Sequence, residues 1–494
     1  MKREPRTIVV GSGAGGLALA LLLARAGRAV TLVESQPTVG GYLRRFSRGG
    51  IRFDTGYHFS GGFNGVMRQM NRVLGIDDLV AAEPIGNRII LRESGDDLWL
   101  PPGCGHRDVE EIFRTAFPNE AAAIGEYEAA IREIWRTTPM RDLSDLAPLQ
   151  LDISPFDLET VDGFCDRLGL SRAARTAVGS FAMCHGSPTG EAPMSFHGRT
   201  GFSIHDCLSR PIGGGDPMIA GFRREAAKLG IEILAGATLL RFADPDSNGE
   251  CREALLADGT RIDAEEVFFT IHPRAVRELL PEKALTPSFS RRIRRMREST
   301  SFFCAYFLAD GAVELKPGLI SLVVGNDLNS ILLGGDAYST GYLLGREPGA
   351  DGGLHNSIAA FRTMRELPAA FSLPHRERLR LAAYQEFKER VVQEIADDLA
   401  GIMPELKGHL TPVASGTPLT CLDYDPPTGS AYGVCCTCGQ SRIFGRLPVR
   451  NFYAAGQSAL VPGVMGTMLA SFTVFRTAVG EETYRRVIRD AGIV

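Results

Sequence analysis

A glycine-rich turn near the start of the chain contains the residue types that bind the phosphates of a dinucleotide. The turn consists of Gly11, Ser12, Gly13, Ala14, Gly15 and Gly16. In such a turn the first glycine permits a tight bend, the second lets the backbone approach a pyrophosphate, and the last lets a helix pack closely on a strand. The N–H groups at the start of that helix then face the phosphates. We therefore predict that these six residues cradle a pyrophosphate.

An acidic residue follows this turn at the distance that suits a ribose. Glu34 lies about 20 residues beyond the glycines, where a carboxylate accepts hydrogen bonds from ribose hydroxyls. A carboxylate at that place repels a 2′-phosphate, which argues against NADP. Ser35, the next residue, belongs to the same predicted site.

The elements predicted around these residues are the strand, helix and strand of a Rossmann-like unit. A β-branched run covers residues 7–10, a helix-like segment extends to Ala26, Gly27 is its stop signal, and a second strand covers residues 29–33. The strand, the turn, the helix, the second strand and the acidic residue follow one another in the expected order and at the expected spacing. This combination is more specific than a glycine pattern alone. The sequence therefore predicts an α/β fold that binds a dinucleotide.

The residues after Glu34 extend the pattern as FAD proteins of the glutathione-reductase type do, whereas NAD folds usually do not. Gly41 belongs to a second glycine pair that in such proteins carries the chain past the pyrophosphate, and Arg44 or Arg45 is the candidate to neutralise it. A later turn, Gly56-Tyr57-His58, would come close to the flavin ring.

Two later segments return to the same predicted site. In the FAD pattern, the backbone near Leu239 meets the adenine and an apolar strand then ends near Thr270, although a hairpin of the substrate domain remains the alternative. Near the C-terminus, a strand leads into Gly456 and Gln457, and Gln457 is a candidate to hydrogen-bond the ribityl chain. The helix that follows begins around Val464, Met465 and Gly466. Its N-terminus would stabilise negative charge on a reduced flavin.

These stretches, together with the segment Gly429-Ser430-Ala431-Tyr432-Gly433, resemble the phytoene desaturase, carotenoid isomerase and retinol saturase family of FAD-dependent oxidoreductases. The segment Phe53-Asp54-Thr55-Gly56-x-His58 and the pair Gly456-Gln457 look most like the retinol saturase and carotenoid isomerase branch. The resemblance covers the chain end to end. It implies FAD as cofactor and a carbon–carbon double bond of a lipophilic polyene or isoprenoid as the target. The chain departs from the family at Tyr42, where many members have arginine, so the pyrophosphate contact falls to Arg44 or Arg45 or is absent.

The resemblance also implies the domain organisation. Residues 1–80, 211–275 and 416–494 are predicted to form one discontinuous FAD-binding domain, and residues 81–210 and 276–415 an α+β substrate domain with a helical cap. Between Arg376 and Leu399, apolar residues recur at the spacing of an α-helix, and the apolar face that they form is predicted to pack against a core. Five arginines between Arg291 and Arg297 are interpreted as a solvated helix face, with contact to anionic lipid headgroups as the alternative.

Composition excludes several classes of protein. The 494 residues have a formal net charge of −4, which provides no general field for nucleic acid. Ten irregularly spaced cysteines do not form a disulfide framework. The pair Cys435 and Cys438 lacks a partner pair or a nearby histidine, so no metal site is assigned. We expect a reduced, cytoplasmic protein without a spanning segment, and peripheral contact with a membrane is the alternative.

His58 and Tyr57 are the candidate catalytic residues because their turn is the one expected at the flavin. In one hypothesis His58 acts as acid or base or polarises the substrate, and in the other it only hydrogen-bonds flavin or backbone. His197 and His205 are weaker candidates to line a substrate tunnel. Saturation, desaturation and redox-neutral isomerisation of a polyene would use the same flavin and the same candidate residues. The sequence contains no second, NAD-specific glycine fingerprint that would identify the electron partner.

Two other functions share parts of this pattern. Flavin amine oxidases and sugar mutases have the same FAD fingerprint. Carriers of prenylated proteins, of the GDP-dissociation-inhibitor type, look similar in architecture but use no flavin. The complete set of cofactor glycines argues against the carrier.

Overall fold

The computed structural model describes residues 6–149, 153–311, 313–323, 327–334, 340–424, 427–440 and 442–494 of the chain. The strands are β1 (Arg6–Val10), β2 (Val30–Glu34), β3 (Arg45–Arg48), β4 (Ile51–Asp54), β5 (Ala82–Pro84), β6 (Gly86–Leu91), β7 (Asp96–Leu100), β8 (Ser209–Pro211), β9 (Glu232–Ala235), β10 (Leu239–Phe242), β11 (Glu253–Leu256), β12 (Arg261–Phe269), β13 (Phe302–Ala309), β14 (Gly318–Val323), β15 (Gly341–Pro348), β16 (Leu354–Thr363), β17 (Leu410–Gly416), β18 (Gly445–Arg446) and β19 (Phe452–Ala454). The helices are α1 (Ala14–Arg25), α2 (Val66–Leu74), α3 (His106–Ala116), α4 (Ala121–Arg136), α5 (Val161–Leu168), α6 (Arg172–Val178), α7 (Met194–Asp206), α8 (Asp216–Lys228), α9 (Pro273–Leu279), α10 (Pro287–Arg295), α11 (Leu328–Leu332), α12 (His375–Arg378), α13 (Ala382–Ile402), α14 (Pro418–Tyr424) and α15 (Gly463–Asp490).

A parallel sheet with the strand order β19-β12-β1-β2-β9 forms the centre of the first domain. Its strands come from three distant parts of the chain. Helix α1 connects β1 to β2, as the crossover of a Rossmann-like unit requires. The first half of β12 instead pairs antiparallel with β11, which extends the sheet to β10. The predicted α/β, Rossmann-like fold is confirmed. The first predicted strand is one residue shorter than β1, and the second is shifted by one residue relative to β2.

Apolar helices cover both faces of this sheet. On one face α1 packs against α15, where Leu19 and Leu22 join Met468 and Phe472 in one buried cluster. Gly15 is required at this contact, because a Cβ atom there would lie 2.5 Å from Cγ2 of Thr467. Helix α15 has 28 residues and contains a kink at Gly480, whose φ of 80° is outside the helical region.

A second sheet of seven strands lies in the substrate-side domain, in the order β17-β13-β16-β15-β14-β6-β7. Neighbouring strands are antiparallel except for β14 and β6, which are parallel. One face of the sheet packs against α13 through Val391, Ile395 and Leu399. Helices α3 to α7 form a separate cap with its own buried cluster. This arrangement matches an α+β domain with a helical cap.

Part of the segment that is predicted in the substrate domain lies against the first sheet. Residues 276–296, predicted in the substrate domain, pack against the first sheet, since Val276, Phe289 and Ile293 share a cluster with Ile8 and Val10. The arginines of α10 are exposed, which agrees with a solvated face. The first five residues of the predicted FAD domain lie outside the described residues.

The predicted helix from Arg376 to Leu399 is divided into α12 and α13. Leu381 adopts an extended conformation before α13, and Leu379 is 44% exposed rather than buried. Just before this break Arg378 is buried, and its guanidinium donates to the carbonyl of Leu373 and pairs with Asp423. None of the described helices combines the length and apolar character of a membrane span.

Candidate functional site

The glycine turn between β1 and α1 has the shape that its sequence predicts. Gly11 has a φ of 95°, and its N–H donates to the carbonyl of Val33 at 2.9 Å. A Cβ atom at Gly16 would overlap with the carbonyl oxygen of Gly11, whereas one at Gly13 would meet no atom within 4 Å. Protein atoms therefore leave no room for a side chain at Gly16. At Gly13, which precedes the first turn of α1, the position of a side chain is open.

Glu34 closes one side of this turn. Its Oε2 accepts hydrogen bonds from the N–H of Ser12 at 2.9 Å and from the Ser12 hydroxyl at 2.6 Å. Its Oε1 accepts from the N–H of Gln36 at 2.7 Å and from the Ser35 hydroxyl at 3.4 Å. These bonds orient a buried carboxylate at the end of β2, beside the glycine turn.

The second glycine pair lies directly against the first turn. A Cβ atom at Gly41 would lie 2.9 Å from the Cα atom of Gly13, so the two backbones approach closely because residue 41 has no side chain. Arg44 stays at this edge, where its guanidinium donates to the carbonyl of Gly41 at 3.1 Å. Arg45 points elsewhere, because its guanidinium is buried between Asp54 and Glu347. Of the two predicted pyrophosphate contacts, only Arg44 lies beside the glycines.

Thr270 lies directly on the same turn, and Gly456 lies against Thr270. The Thr270 hydroxyl donates to the carbonyls of Val10 at 3.0 Å and Gly11 at 3.1 Å. Gly456 has a φ of 90°, and a Cβ atom there would lie 2.8 Å from the carbonyl oxygen of Thr270. Leu239 is buried at the start of β10, in the same cluster as Val33. These contacts bring residues from three parts of the chain to the carboxyl edge of the first sheet.

A cavity of about 240 Å³ adjoins this edge and lies between the two domains and the cap. Eight of the predicted site residues line it: Tyr42, Gly56, Tyr57, His58, Gln457, Val464, Met465 and Gly466. The Nε2 atom of Gln457 donates to the carbonyl of Ala431 at 3.0 Å, which fixes the neighbouring loop of Tyr432. The other walls are mostly apolar and include Phe181, Met183, Phe302, Leu319 and Phe361. The residues of the first glycine turn do not line it.

The described lining of this cavity contains no Asp, Glu, Lys or Arg side chain. The polar groups that it offers are neutral: hydroxyls such as those of Thr200 and Ser203, the amides of Asn87 and Gln457, and an imidazole. Because burying an unpaired charge is costly, a lining of this kind favours an uncharged ligand.

The two candidate catalytic side chains are buried at one end of the cavity. Burial, and secondarily the nearby Arg210 guanidinium, lowers the pKa of His58 to about 3. Burial also raises the pKa of Tyr57 well above its ordinary value, with Asp54 as a smaller cause. Nδ1 of His58 and the Tyr57 hydroxyl have no hydrogen-bond partner within the described part of the chain. At neutral pH the cavity therefore contains a neutral imidazole and a protonated phenol.

A buried ion cluster, which the sequence analysis missed, lies behind His58. The ion cluster consists of Arg45, Asp54, Arg210 and Glu347, whose side chains are 4%, 4%, 9% and 6% exposed. Nε of Arg45 lies 2.8 Å from Asp54, and Arg210 lies 3.3 Å from the same carboxylate. Both guanidiniums also contact Glu347. Burial raises the pKa of Asp54 to about 6, although both arginines oppose this shift.

His197 and His205 do not line the cavity. His197 lies behind the wall, where its Nε2 is 2.8 Å from the Tyr127 hydroxyl and its Nδ1 is 2.9 Å from Nε2 of His185. Burial lowers the pKa of both His197 and His205, so both rings are neutral. The hypothesis that they line the tunnel is wrong. Tyr432, in contrast, does line the cavity.

The sequence analysis also missed three cysteines of the cavity wall. Cys184, Cys304 and Cys421 come from the cap, the second sheet and α14. No local motif marks them, since each reaches the cavity only through the tertiary fold. Burial raises the pKa of Cys184 to about 12, which keeps this thiol protonated.

Known proteins share both the local and the overall pattern. Residues 9–74 match a family model described as an NAD(P)-binding Rossmann-like domain. The sequence is 22% identical to an all-trans-retinol 13,14-reductase from Danio rerio, over 94% of this chain and 84% of that protein. A stretch of 51 residues, 10% of each chain, is 47% identical to a 4,4′-diapolycopene oxygenase from Methylomonas sp.

Two solved structures have the same fold. An oxidoreductase from Methanosarcina mazei superposes with a TM-score of 0.64 at 16% identity, over 95% of this chain and 100% of that one. Putrescine oxidase bound to putrescine gives 0.62 at 15% identity, over 96% and 99% of the two chains. At these identities the likeness shows the fold alone. The chain therefore has a Rossmann-like fold shared with oxidoreductases, and it is similar, along nearly its whole length, to an all-trans-retinol 13,14-reductase.

Proposed function

We propose that this enzyme binds FAD and acts on a carbon–carbon double bond of a lipophilic polyene or isoprenoid. The observation that carries the proposal is the uncharged, largely apolar cavity that meets the predicted flavin-side residues. A long hydrocarbon requires a cavity of this kind, because each charged group in the wall would lose its water without gaining a partner.

The glycine cradle fits a dinucleotide with a pyrophosphate. The open backbone above Gly13 and the first N–H groups of α1 would face the phosphates, and Arg44 lies at the edge to offset their charge. Glu34 and Ser35 would hold the ribose of the adenosine half, beside the backbone of Leu239. Bound there, FAD supplies two-electron chemistry that the side chains of the protein cannot perform.

The start of α15 would hold the flavin end. No side chain of a described residue caps this helix, and Val464, Met465 and Gly466 of its first turn line the cavity. Their N–H groups and the helix dipole favour negative charge at this position. Gln457 lies beside them, with its carbonyl oxygen available because its amide nitrogen donates to Ala431.

Tyr57 and His58 would form hydrogen bonds next to the substrate. The raised pKa of Tyr57 keeps its hydroxyl protonated, so this group donates a hydrogen bond at neutral pH. The lowered pKa of His58 keeps its imidazole neutral, so one ring nitrogen accepts a hydrogen bond while the other donates one. The apolar walls exclude water from both groups, which limits competition from solvent for these hydrogen bonds.

The names of the relatives agree with this class of substrate. The all-trans-retinol 13,14-reductase acts, by its name, on a conjugated isoprenoid, and the diapolycopene oxygenase on a long linear polyene. Saturation, desaturation and isomerisation all act on the same double-bond system and would use the same cavity. We therefore propose a class of substrate that all three reactions share.

An amine oxidase is the second candidate, because putrescine oxidase has the same fold. Putrescine is a dication, and its recognition needs carboxylates or aromatic cages near the cation. The absence of any acidic residue from the described lining speaks against this candidate. The same lining lacks the arginines that would bind the diphosphate of a nucleotide sugar.

The test starts from purified protein and its visible spectrum, with the cofactor released by denaturation and identified by mass spectrometry. The photoreduced enzyme is then mixed anaerobically with all-trans-retinol, a linear carotenoid or a nucleotide sugar, and the oxidised enzyme is mixed with the same polyenes and with putrescine, because only an oxidised flavin accepts electrons from an amine. We expect FAD, and a change in the oxidation state of the flavin or substrate conversion only with the polyenes. Turnover of putrescine, or a colourless protein that takes up no FAD, would overturn the proposal.

The role of His58 is tested separately in the same assay. We expect His58→Gln to retain FAD and to lose most of its turnover. His355→Gln, at a half-buried histidine paired with Asp351 outside the cavity, is the matched control and should behave as wild type. Unchanged turnover in His58→Gln would restrict His58 to a structural contact.

A further inference from the structure

Three metal-binding side chains meet inside the helical cap, away from the cavity lining. His106 begins α3, Glu128 lies in α4, and His205 lies near the end of α7. Their side chains are 4%, 0% and 5% exposed. One ligand atom from each residue lies within 4.8 Å of the other two. Three separate helices therefore converge on one point that can hold a single ion.

The polar atoms of these residues are not satisfied by protein partners. Among the described residues, none forms a hydrogen bond with Nδ1 or Nε2 of His106, with either carboxylate oxygen of Glu128, or with Nδ1 of His205. Buried polar groups of folded proteins are nearly always paired, and leaving them unpaired is costly. Such a concentration of unpaired atoms in one place calls for a partner that is not a side chain.

An ion pair within the cluster does not provide these polar atoms with hydrogen bonds. Nε2 of His106 lies 3.0 Å from Oε2 of Glu128, but without the alignment of a hydrogen bond. Nδ1 of His205 is 4.0 Å from the other carboxylate oxygen, too far for a hydrogen bond. One ligand atom from each of the three residues instead lies within 4.8 Å of the other two, a separation that one shared cation can bridge.

The surroundings confine the cluster and orient its rings. Phe202 stacks on His106 with 5.0 Å between ring centroids, and Phe113 and Phe181 lie 5.7 Å and 5.0 Å from the ring of His205. These apolar neighbours offer no polar group of their own. A cation held here would exchange slowly with solvent.

We propose that His106, Glu128 and His205 bind one zinc ion that fastens α3, α4 and α7 together. Two imidazoles and one carboxylate are a ligand set that zinc accepts, whereas magnesium and calcium prefer oxygen ligands throughout. Nε2 of His106, Nδ1 of His205 and the two carboxylate oxygens provide four donor atoms. The ligands lie too far apart in the sequence for any spacing motif to identify them.

The site would stabilise one wall of the cavity rather than take part in chemistry. Ile204, next to His205 in α7, lines the cavity, and so does Phe181, whose ring packs against His205. The ion itself would lie behind this wall. Loss of the metal is therefore expected to loosen the cap and lower thermal stability without removing the cofactor.

The test measures metal in untagged protein that has been expressed with added zinc and purified without chelators. Inductively coupled plasma mass spectrometry should give about one zinc per chain in the wild type, and less than about one tenth of that in Glu128→Gln. Two controls should retain the metal: His197→Gln, at a buried histidine of the same helix outside the cluster, and the double variant Cys435→Ser/Cys438→Ser, which removes the C-x-x-C pair.

Zinc that remains in Glu128→Gln, or that disappears with the cysteines, would overturn the proposal. So would a wild-type protein that contains no zinc and shows no rise in melting temperature when zinc is added. If Glu128→Gln does not fold, the wild type decides: anomalous diffraction at the zinc edge must show a peak between the three residues, and its absence refutes the site. Neither measurement depends on FAD or on turnover.

Discussion

At the scale of single residues, one added methyl group should lower the stability of the protein at Gly16 but not at Gly13 of the same turn. Gly16→Ala forces a Cβ atom into the carbonyl of Gly11, so we expect a loss of about 1–3 kcal/mol or more in the free energy of unfolding. Gly13→Ala meets no protein atom, so stability should change by less than about 0.5 kcal/mol. Its methyl group would instead occupy the open face of the cradle and weaken FAD binding. Urea denaturation and a flavin titration of both variants check this contrast, and equal destabilisation of the two would contradict it.

The buried imidazole of His58 predicts a particular dependence of stability on pH. Its folded-state pKa of about 3 lies below the ordinary value of 6.5, so between these values only the unfolded chain binds the proton. The free energy of unfolding then decreases as the pH falls from 6.5, by up to about 1.4 kcal/mol per pH unit from this residue. His58→Gln should therefore lose stability less steeply than wild type between about pH 6 and pH 4. Denaturant titrations across this range provide the comparison, with His355→Gln expected to follow wild type. A parallel slope in His58→Gln would mean that the imidazole is accessible to protons in the folded state.

The contacts of the first glycine turn could be predicted from the sequence because they form between near neighbours in the chain. The contacts of Gly11, Gly16 and Glu34 are determined within the first strand-helix-strand unit. Arg45 could not be placed this way, because its partner Glu347 lies in a strand of the other domain. In the sequence it resembles a free basic residue next to a phosphate site, and only the tertiary fold shows that its charge is already matched.

At the scale of elements, the ion cluster of Arg45, Asp54, Arg210 and Glu347 joins the β3–β4 hairpin, β8 and β15. Glu347→Gln removes one buried charge and leaves the two guanidiniums with a single carboxylate, so we expect a loss of about 3–5 kcal/mol in the free energy of unfolding. The matched control is the exposed pair of Arg88 with Asp97 across β6 and β7, where Arg88→Ala should cost less than about 1 kcal/mol. Equal effects in a denaturation experiment would show that the buried pairs contribute no more than surface ones.

The elements of the first domain could be predicted with small errors, and those of the second could not. Strands β1 and β2 are short, apolar and bounded by glycine, which determines their type locally. The seven strands of the second sheet take partners from distant parts of the chain, such as β6 beside β14. The division between α12 and α13 likewise lies beside a contact between distant residues, the pair of Arg378 with Asp423.

At the scale of the whole molecule, the predicted FAD site joins segments that are more than 400 residues apart in the sequence, from Gly13 to Gly466. A ligand that binds only when these segments are assembled must stabilise the entire first domain. The apo-protein should therefore gain about 2.7 kcal/mol at an FAD concentration one hundred times the dissociation constant. The melting temperature should rise with the logarithm of FAD concentration in the wild type, and the same rise should appear in Gly13→Ala only at higher concentrations. Differential scanning calorimetry of apo-protein over a range of FAD concentrations measures both. A melting temperature that does not change with FAD would mean that the three segments assemble without binding the cofactor, and the proposed site would then be wrong as a whole.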